Sequence, residues 1–255
     1  MENEPIYLAI STQKGGAGKT TLTVLVASFL HYVKGYSVAV VDCDYPQHSI
    51  VEMRQRDLAL ALEDEHYKYM AYEQFSRLGC KAYPVIESSP QKAIEDADEL
   101  ITQGKFDIVF FDLPGTVNNT AVIHALSNMD YIIAPISADR VVLESTLRYV
   151  TVINDLIRRT GITRIRETYL LWNMVDGREK SELYEVYEKV ISGLGLKVLK
   201  TFIPNSVRFR REQSSTHKAV VRSTLFPTAR ALLRGVGVDA LSDEILGIVK
   251  PDSNG

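Results

Sequence analysis

The stretch Ser11–Thr23, STQKGGAGKTTLT, decides the fold class. Gly18-Lys19-Thr20 close a phosphate-binding loop, but the ordinary spacing, glycine, four residues, then Gly-Lys-Ser/Thr, requires glycine at position 13. Gln13 stands there instead, followed by a second lysine, Lys14. Upstream lies the apolar run 6–12; downstream a helical pattern covers Lys19–Lys34 and meets Gly35, a natural left-handed stop. In that setting the backbone N–H groups of Gly15, Gly16, Ala17, Gly18, Lys19, Thr20 and Thr21 can ring an anion at a helix N-terminus. Lys19 would reach the β- and γ-phosphates, and the Thr20 hydroxyl would ligate Mg²⁺. The plain alternative, a glycine-rich turn that binds nothing, does not account for the strand before, the helix after and the intact GKTT.

Further apolar, β-rich runs follow at 37–44, 82–88, 106–114, 131–137, 168–174 and 197–203. Several are apolar at consecutive positions, as strands covered on both faces require. Helical patterns separate them. One opens at Ser89-Pro90, with serine as cap and proline in the first turn, and Val141–Thr160 ends at Gly161. Strand–helix alternation of this kind predicts an α/β fold with a doubly wound, mainly parallel sheet, as one domain over residues 1–255. In such sheets ligands gather at the carboxyl ends of the strands.

Two of those ends carry acids. FDIVFFDLPG (106–115) is an apolar strand closing on Asp112, the form in which an aspartate holds Mg²⁺ through water. VVDCDYPQ (40–47) carries Asp42 and Asp44 at i and i+2, on one strand face. One solvated strand end would explain one acid; two beside a triphosphate suggest contact with the metal's shell and orientation of an attacking water.

Composition narrows the rest. The two cysteines, Cys43 and Cys80, form no disulfide framework and suit a reducing cytoplasm. The acidic N-terminus lacks the order of a secretory signal, and no apolar run approaches the ~18 residues that span a bilayer.

KGGAGKTT, DCDYPQ and FDIVFFDLPG, in this order, resemble the deviant Walker-A ATPases of the ParA/MinD group, P-loop NTPases of the SIMIBI type. PISADRVVLEST, LLWNMVDGREKSELY and IPNSVRFRRE continue the likeness over most of the chain. The resemblance implies ATP and ADP as ligands with Mg²⁺, slow hydrolysis, an ATP-dependent homodimer and an adaptor protein. It makes Asn173 and Pro204 contacts of the base, and Lys14 the lysine that crosses the dimer interface to the partner's ATP. Lys14, Lys19 and Asp44 form the expected catalytic set, with Thr20, Asp112 and Asp44 at the metal. Physics agrees about Lys14: two facing triphosphates repel, and a lysine from each side offsets that charge. There are departures. Tyr45 precedes Pro46-Gln47 where the family commonly reads Asp-x-Asp-Pro-Gln, and Asn205 stands where arginine is frequent. DCDYPQHS is similar to members carried by conjugative transposons, the TraA type.

Between Lys200 and Arg234 lie eight basic residues and one acid, Glu212. That segment is +7, so with a net charge of −3 the remainder carries −10. Segregation of this kind fits non-specific contact with a phosphate backbone, through Arg208, Arg210, Arg211, Lys218, Arg222 and Arg230. The bland reading is a solvated basic face. Lipid-binding relatives end in a basic amphipathic helix. Here VGVDALSDEILGIVK puts Val238, Leu241, Ile245 and Ile248 on one stripe, but Asp239, Asp243 and Glu244 on its polar face, so docking on the core is expected and membrane binding is not. Cys43 and Cys80 are not where a cluster-bridging pair would sit. A positioning ATPase that acts through a protein partner is the alternative to a DNA-binding one, and a small-molecule synthetase or a binding module without hydrolysis also fits this scaffold.

Overall fold

The computed structural model describes residues 4–116, 119–160, 163–178 and 181–250. Every one of the seven apolar runs coincides with a strand, β6 beginning one residue before its run: β1 (Ile6–Ile10), β2 (Val38–Asp42), β3 (Val85–Glu87), β4 (Ile108–Asp112), β5 (Tyr131–Ile136), β6 (Glu167–Trp172) and β7 (Lys197–Val198). They pair in parallel throughout, in the order β3-β2-β4-β1-β5-β6-β7. The sequence run at 197–203 reaches furthest beyond its strand, since only Lys197 and Val198 pair at this edge.

β1, β2, β4 and β5 are buried at every position, as the consecutive apolar residues predict. Alternate side chains feed two cores. On one face Leu8, Val40 and Phe110 pack with α1 (Lys19–Tyr32), α2 (Ser49–Glu63) and α8 (Val238–Val249). On the other, Ala9, Val41 and Phe111 pack with α4 (Ala93–Gln103), α5 (Thr120–Ser127), α6 (Arg140–Thr160) and α7 (Ser181–Gly193). β1 lies between β4 and β5, so the chain leaves it towards β2 on one side and returns past it from β4 to β5. The order reverses here, and the carboxyl ends of β1, β2 and β4 form the crevice where an open α/β sheet holds its ligand.

Some elements differ from the sequence reading. The helix expected at Ser89-Pro90 begins at Ala93; Ser89 accepts from the Lys92 N–H in a turn, and Lys92 precedes the helix without a side-chain cap. The stop at Gly161 lies outside the described residues. α2 and α3 (Glu65–Leu78) had no counterpart in the sequence reading. α2 begins after His48, whose own side chain gives no cap; the carboxylate of Asp42, at the end of β2, accepts from Ile50 and Val51 N–H instead, at 2.9 and 3.0 Å.

α8 docks as its acidic polar face requires. Val238, Leu241 and Ile245 are buried, Asp243 pairs with Lys34 at 2.6 Å, and Glu244 accepts from the N–H groups of Lys200 and Thr201. Among the described residues no helix is long and apolar enough to cross a membrane. Leu241→Ala therefore opens a cavity in the core and is expected to cost about 2–5 kcal/mol in urea unfolding. A cost below about 1 kcal/mol would mean that α8 does not depend on this contact.

Candidate functional site

The glycine-rich loop is held from below. Ser11 Oγ lies 2.6 Å from the Tyr149 hydroxyl, and Thr12 Oγ1 3.0 Å from Thr146 Oγ1, so α6 fixes the end of β1. Gly16 and Gly18 have φ of 74° and 88°, which side chains rarely adopt. A Cβ on Gly18 would also lie 2.7 Å from Asn173 Nδ2. On the strand side Gly115 is as tightly placed: a Cβ there would meet the Thr12 carbonyl at 2.8 Å and the Lys19 ammonium at 3.1 Å. Lys19 is buried against this wall, which points its charge along the loop.

Thr20 and Asp112 meet as expected. The Thr20 hydroxyl donates to Asp112 Oδ2 at 2.7 Å, while Asp112 Oδ1 is buried with no partner. Burial, and secondarily the nearby Asp42 and Asp44 carboxylates, push Asp112 up to about 7 against the help of that hydroxyl. A buried orphan acceptor beside a hydroxyl is the donor set a hard divalent cation takes, since Mg²⁺ uses one or two protein oxygens and fills its shell with water and phosphate. The pair fits Mg²⁺.

The two acids of DCD part company. Asp42 is fully buried with its oxygens engaged by backbone N–H groups of Asp44, Ile50 and Val51, so the expectation that both acids face a phosphate is corrected: Asp42 caps α2. Asp44, past the strand end, lines the open cavity above the loop.

That cavity has a volume of about 470 Å³, in the range of small-molecule sites. Gly15–Thr21 form its floor, and Asp44 and Gln47 one side. Asn173, Met174, Pro204, Asn205, Val207 and Phe209 form the other, a slot of four apolar side chains and two amides suited to a planar base. Asn173 is already committed in part, donating to the Ala17 carbonyl at 2.8 Å and accepting from the Met174 N–H, so it braces the loop as well as facing the cavity. The neighbouring Asp176 and Arg178 form a two-pronged ion pair at the surface, and the guanidinium holds the carboxyl at about 2.

Lys14 is exposed, and among the described residues nothing pairs with it. The basic segment divides. Arg210, Arg211, Lys218, Arg230 and Arg234 are exposed, whereas Arg208 is half-buried, its guanidinium against Gly235. Arg222 departs from the sequence reading. It lines the cavity, bonded to Glu212 and to the Thr21 hydroxyl, and presents no open cationic surface. Arg210 reaches the cavity rim as well. Cys43 is buried, its thiol pushed up by burial, and behaves as a small core residue. Among the described residues no cluster of His, Cys, Asp or Glu could itself hold a metal.

The sequence profile of the CobQ/CobB/MinD/ParA nucleotide binding domain family matches residues 8–219, from the first strand into the basic segment. The chain belongs to this family. Within it the chain is a ParA/MinD-type P-loop ATPase by descent: the chromosome-partitioning ATPase Soj of Thermus thermophilus is 25% identical over 95% of this chain and 96% of its own. The cell division ATPase MinD of Pyrococcus furiosus shares the fold with a TM-score of 0.60, at 19% identity, covering 96% of this chain and 100% of that one. Cobyrinic acid a,c-diamide synthase of Mycobacterium smegmatis, solved with an ATP analog and magnesium, gives 0.60 at 19% identity over 97% and 96%.

Two outcomes test the site. Gly115→Ala places a methyl against the loop backbone, so it is expected to lower nucleotide affinity at least tenfold in a fluorescent-nucleotide titration while the far-UV spectrum stays native. The second is a pH dependence. Asp112 stands above its ordinary 3.8, so its contribution to apoprotein stability is present below that value and lost as pH rises through about 7. A cation has to displace the proton, so Mg²⁺ affinity falls as pH drops from 8 to 6. Calorimetric Mg²⁺ titrations with ADP present should show a steeper fall in the native protein than in Asp112→Asn, whose remaining pH dependence is that of the ADP phosphate, with its pKa of about 6.

Proposed function

We propose that the chain is a Mg²⁺-dependent ATPase that closes into a face-to-face dimer on ATP, binds DNA non-specifically in that state and hydrolyses ATP slowly. In this reading Lys19 and the loop hold the phosphates, Thr20 and Asp112 hold the metal, and Asp44 orients the attacking water. Lys14 supplies charge across the dimer to the partner's transferred phosphoryl group, as an arginine finger does. The observation that carries the proposal is Lys14 itself, an exposed cation in a phosphate loop that pairs with nothing among the described residues. The names of the relatives, Soj and a plasmid partition protein of Borrelia burgdorferi solved with AMPPNP, support a role in moving DNA. Service to a plasmid or a conjugative element, with an adaptor that triggers hydrolysis, belongs to the same reading.

Dimerisation would bring two sets of Arg210, Arg211, Lys218, Arg230 and Arg234 to one duplex, and affinity climbs steeply with the number of phosphates met, at a log-log salt slope of about −0.9 per contact. A second reading, a positioning ATPase working through a protein partner, is favoured by the exposed apolar residues Leu183, Val186 and Val190 along α7 and Leu194 just after it.

Light scattering and DNA shift assays across salt decide between them. The proposal expects a monomer without nucleotide, and with ATP a dimer that holds DNA. Lys14→Ala should retain ATP and lose dimer and DNA together; Asp44→Ala should retain ATP and lose about 10²-fold or more in turnover. An apoprotein that binds DNA as well as the ATP form, or a Lys14→Ala protein that dimerises normally, contradicts the proposal.

A further inference from the structure

Among the described residues, Arg222 is the cation of the basic segment that hydrogen-bonds to the phosphate loop. Its Nη1 donates to the Thr21 hydroxyl at 2.7 Å, and its Nε and Nη2 both donate to Glu212 Oε1, the former at 2.9 Å. The other Glu212 oxygen pairs with Arg56 of α2 at 2.7 Å. One carboxylate thus serves two guanidinium groups, and the cluster keeps a net positive charge. Its surroundings are fixed: Asp57 of α2 accepts from the Thr224 N–H at 2.7 Å and from the Ser223 and Thr224 hydroxyls, and Arg54 donates to Thr224 Oγ1 and its carbonyl. The segment carrying Arg222 is therefore pinned to α2 on its far side, so the guanidinium meets the cavity in a set orientation.

Thr21 marks which part of a nucleotide lies near. Along the loop, Lys19 serves the β- and γ-phosphates and Thr20 the metal, so the hydroxyl one residue further into α1 stands towards the α-phosphate end. The slot for a base begins on the same side of the cavity, at Pro204 and Phe209. We infer that Arg222 is a nucleotide-binding residue, which turns from Thr21 to the α-phosphate and ribose side of the bound nucleotide while Glu212 keeps hold of its other edge. The inference rests on the cavity being the nucleotide site. It separates Arg222 from the exposed cations of the same segment: their counterpart is outside the molecule, while its own is inside.

An α-phosphate is common to ATP and ADP, so Arg222 adds affinity for both and does not select between them. The experiment is titration of the full chain with ATP and with ADP, Mg²⁺ present, for the native protein, Arg222→Gln and Glu212→Gln, beside a DNA shift assay at saturating ATP. Arg222→Gln should weaken ATP and ADP by the same factor, about tenfold or more, the scale of one charge-assisted hydrogen bond. Glu212→Gln leaves the guanidinium without its carboxylate and should tighten both nucleotides. If Arg222 were only a brace of its segment, Glu212→Gln would weaken binding as Arg222→Gln does, and that result overturns the inference even where Arg222→Gln folds poorly. Arg222→Gln binding both nucleotides like the native protein while losing DNA would return Arg222 to the DNA surface. Absence of nucleotide binding in the native protein would instead refute the cavity's assignment itself.

Discussion

The contact between the Thr20 hydroxyl and the Asp112 carboxylate organises this molecule. Two central strands, β1 and β4, run side by side in parallel, so the loop after one and the acid ending the other arrive at the same height. Nothing apolar can replace the acid cheaply there, and among the described residues no donor reaches its second oxygen. A buried carboxylate with one free oxygen is costly unless its proton stays or a cation arrives. The sheet is buried on both faces along its centre, which leaves the strand ends as the place where charge can gather. Lys19, Asp44 and Asp112 gather at those ends, and the cavity opens above them.

α2 ties this centre to the rest. Its first turn hangs from Asp42, next to Asp44, and its middle holds the returning segment 212–226 through Arg54, Arg56 and Asp57. Burial pushes Asp57 up, and three donors from Ser223 and Thr224 push it back. α2 thereby links the strand end before Asp44 to the segment that carries Arg222. A change at the phosphates that shifts the loop after Asp44 has a short mechanical route to the exposed arginines.

Much of this was legible in the sequence, for identifiable reasons. The strands announced themselves because burial on both faces writes consecutive apolar residues, and the loop because phosphate binding needs glycines at positive φ. Asp112 was legible as the acid ending a fully apolar strand. What escaped was what distant residues decide. α2 has no local cap, since Asp42 supplies it from another element, whereas Ser89-Pro90 looks like a helix start and is a turn. α3 carried local signals, Asp64 accepting from His66 and Tyr67 N–H and Gly79 at φ 62°, that pattern reading did not use. The basic run was visible as charge, but Arg222 turns inward because of Glu212 ten residues away and Thr21 two hundred residues away. Composition carries no trace of direction.

Hydrogen–deuterium exchange with and without Mg²⁺ and ATP tests whether the nucleotide lies on the loop between β1 and α1 with its base against the segment after β7. Slowed exchange is expected in two separate peptides, one covering Gly15–Thr21 and one covering Asn205–Phe209, with α3 unchanged. Protection confined to one of the two, or appearing elsewhere while both stay open, would contradict it.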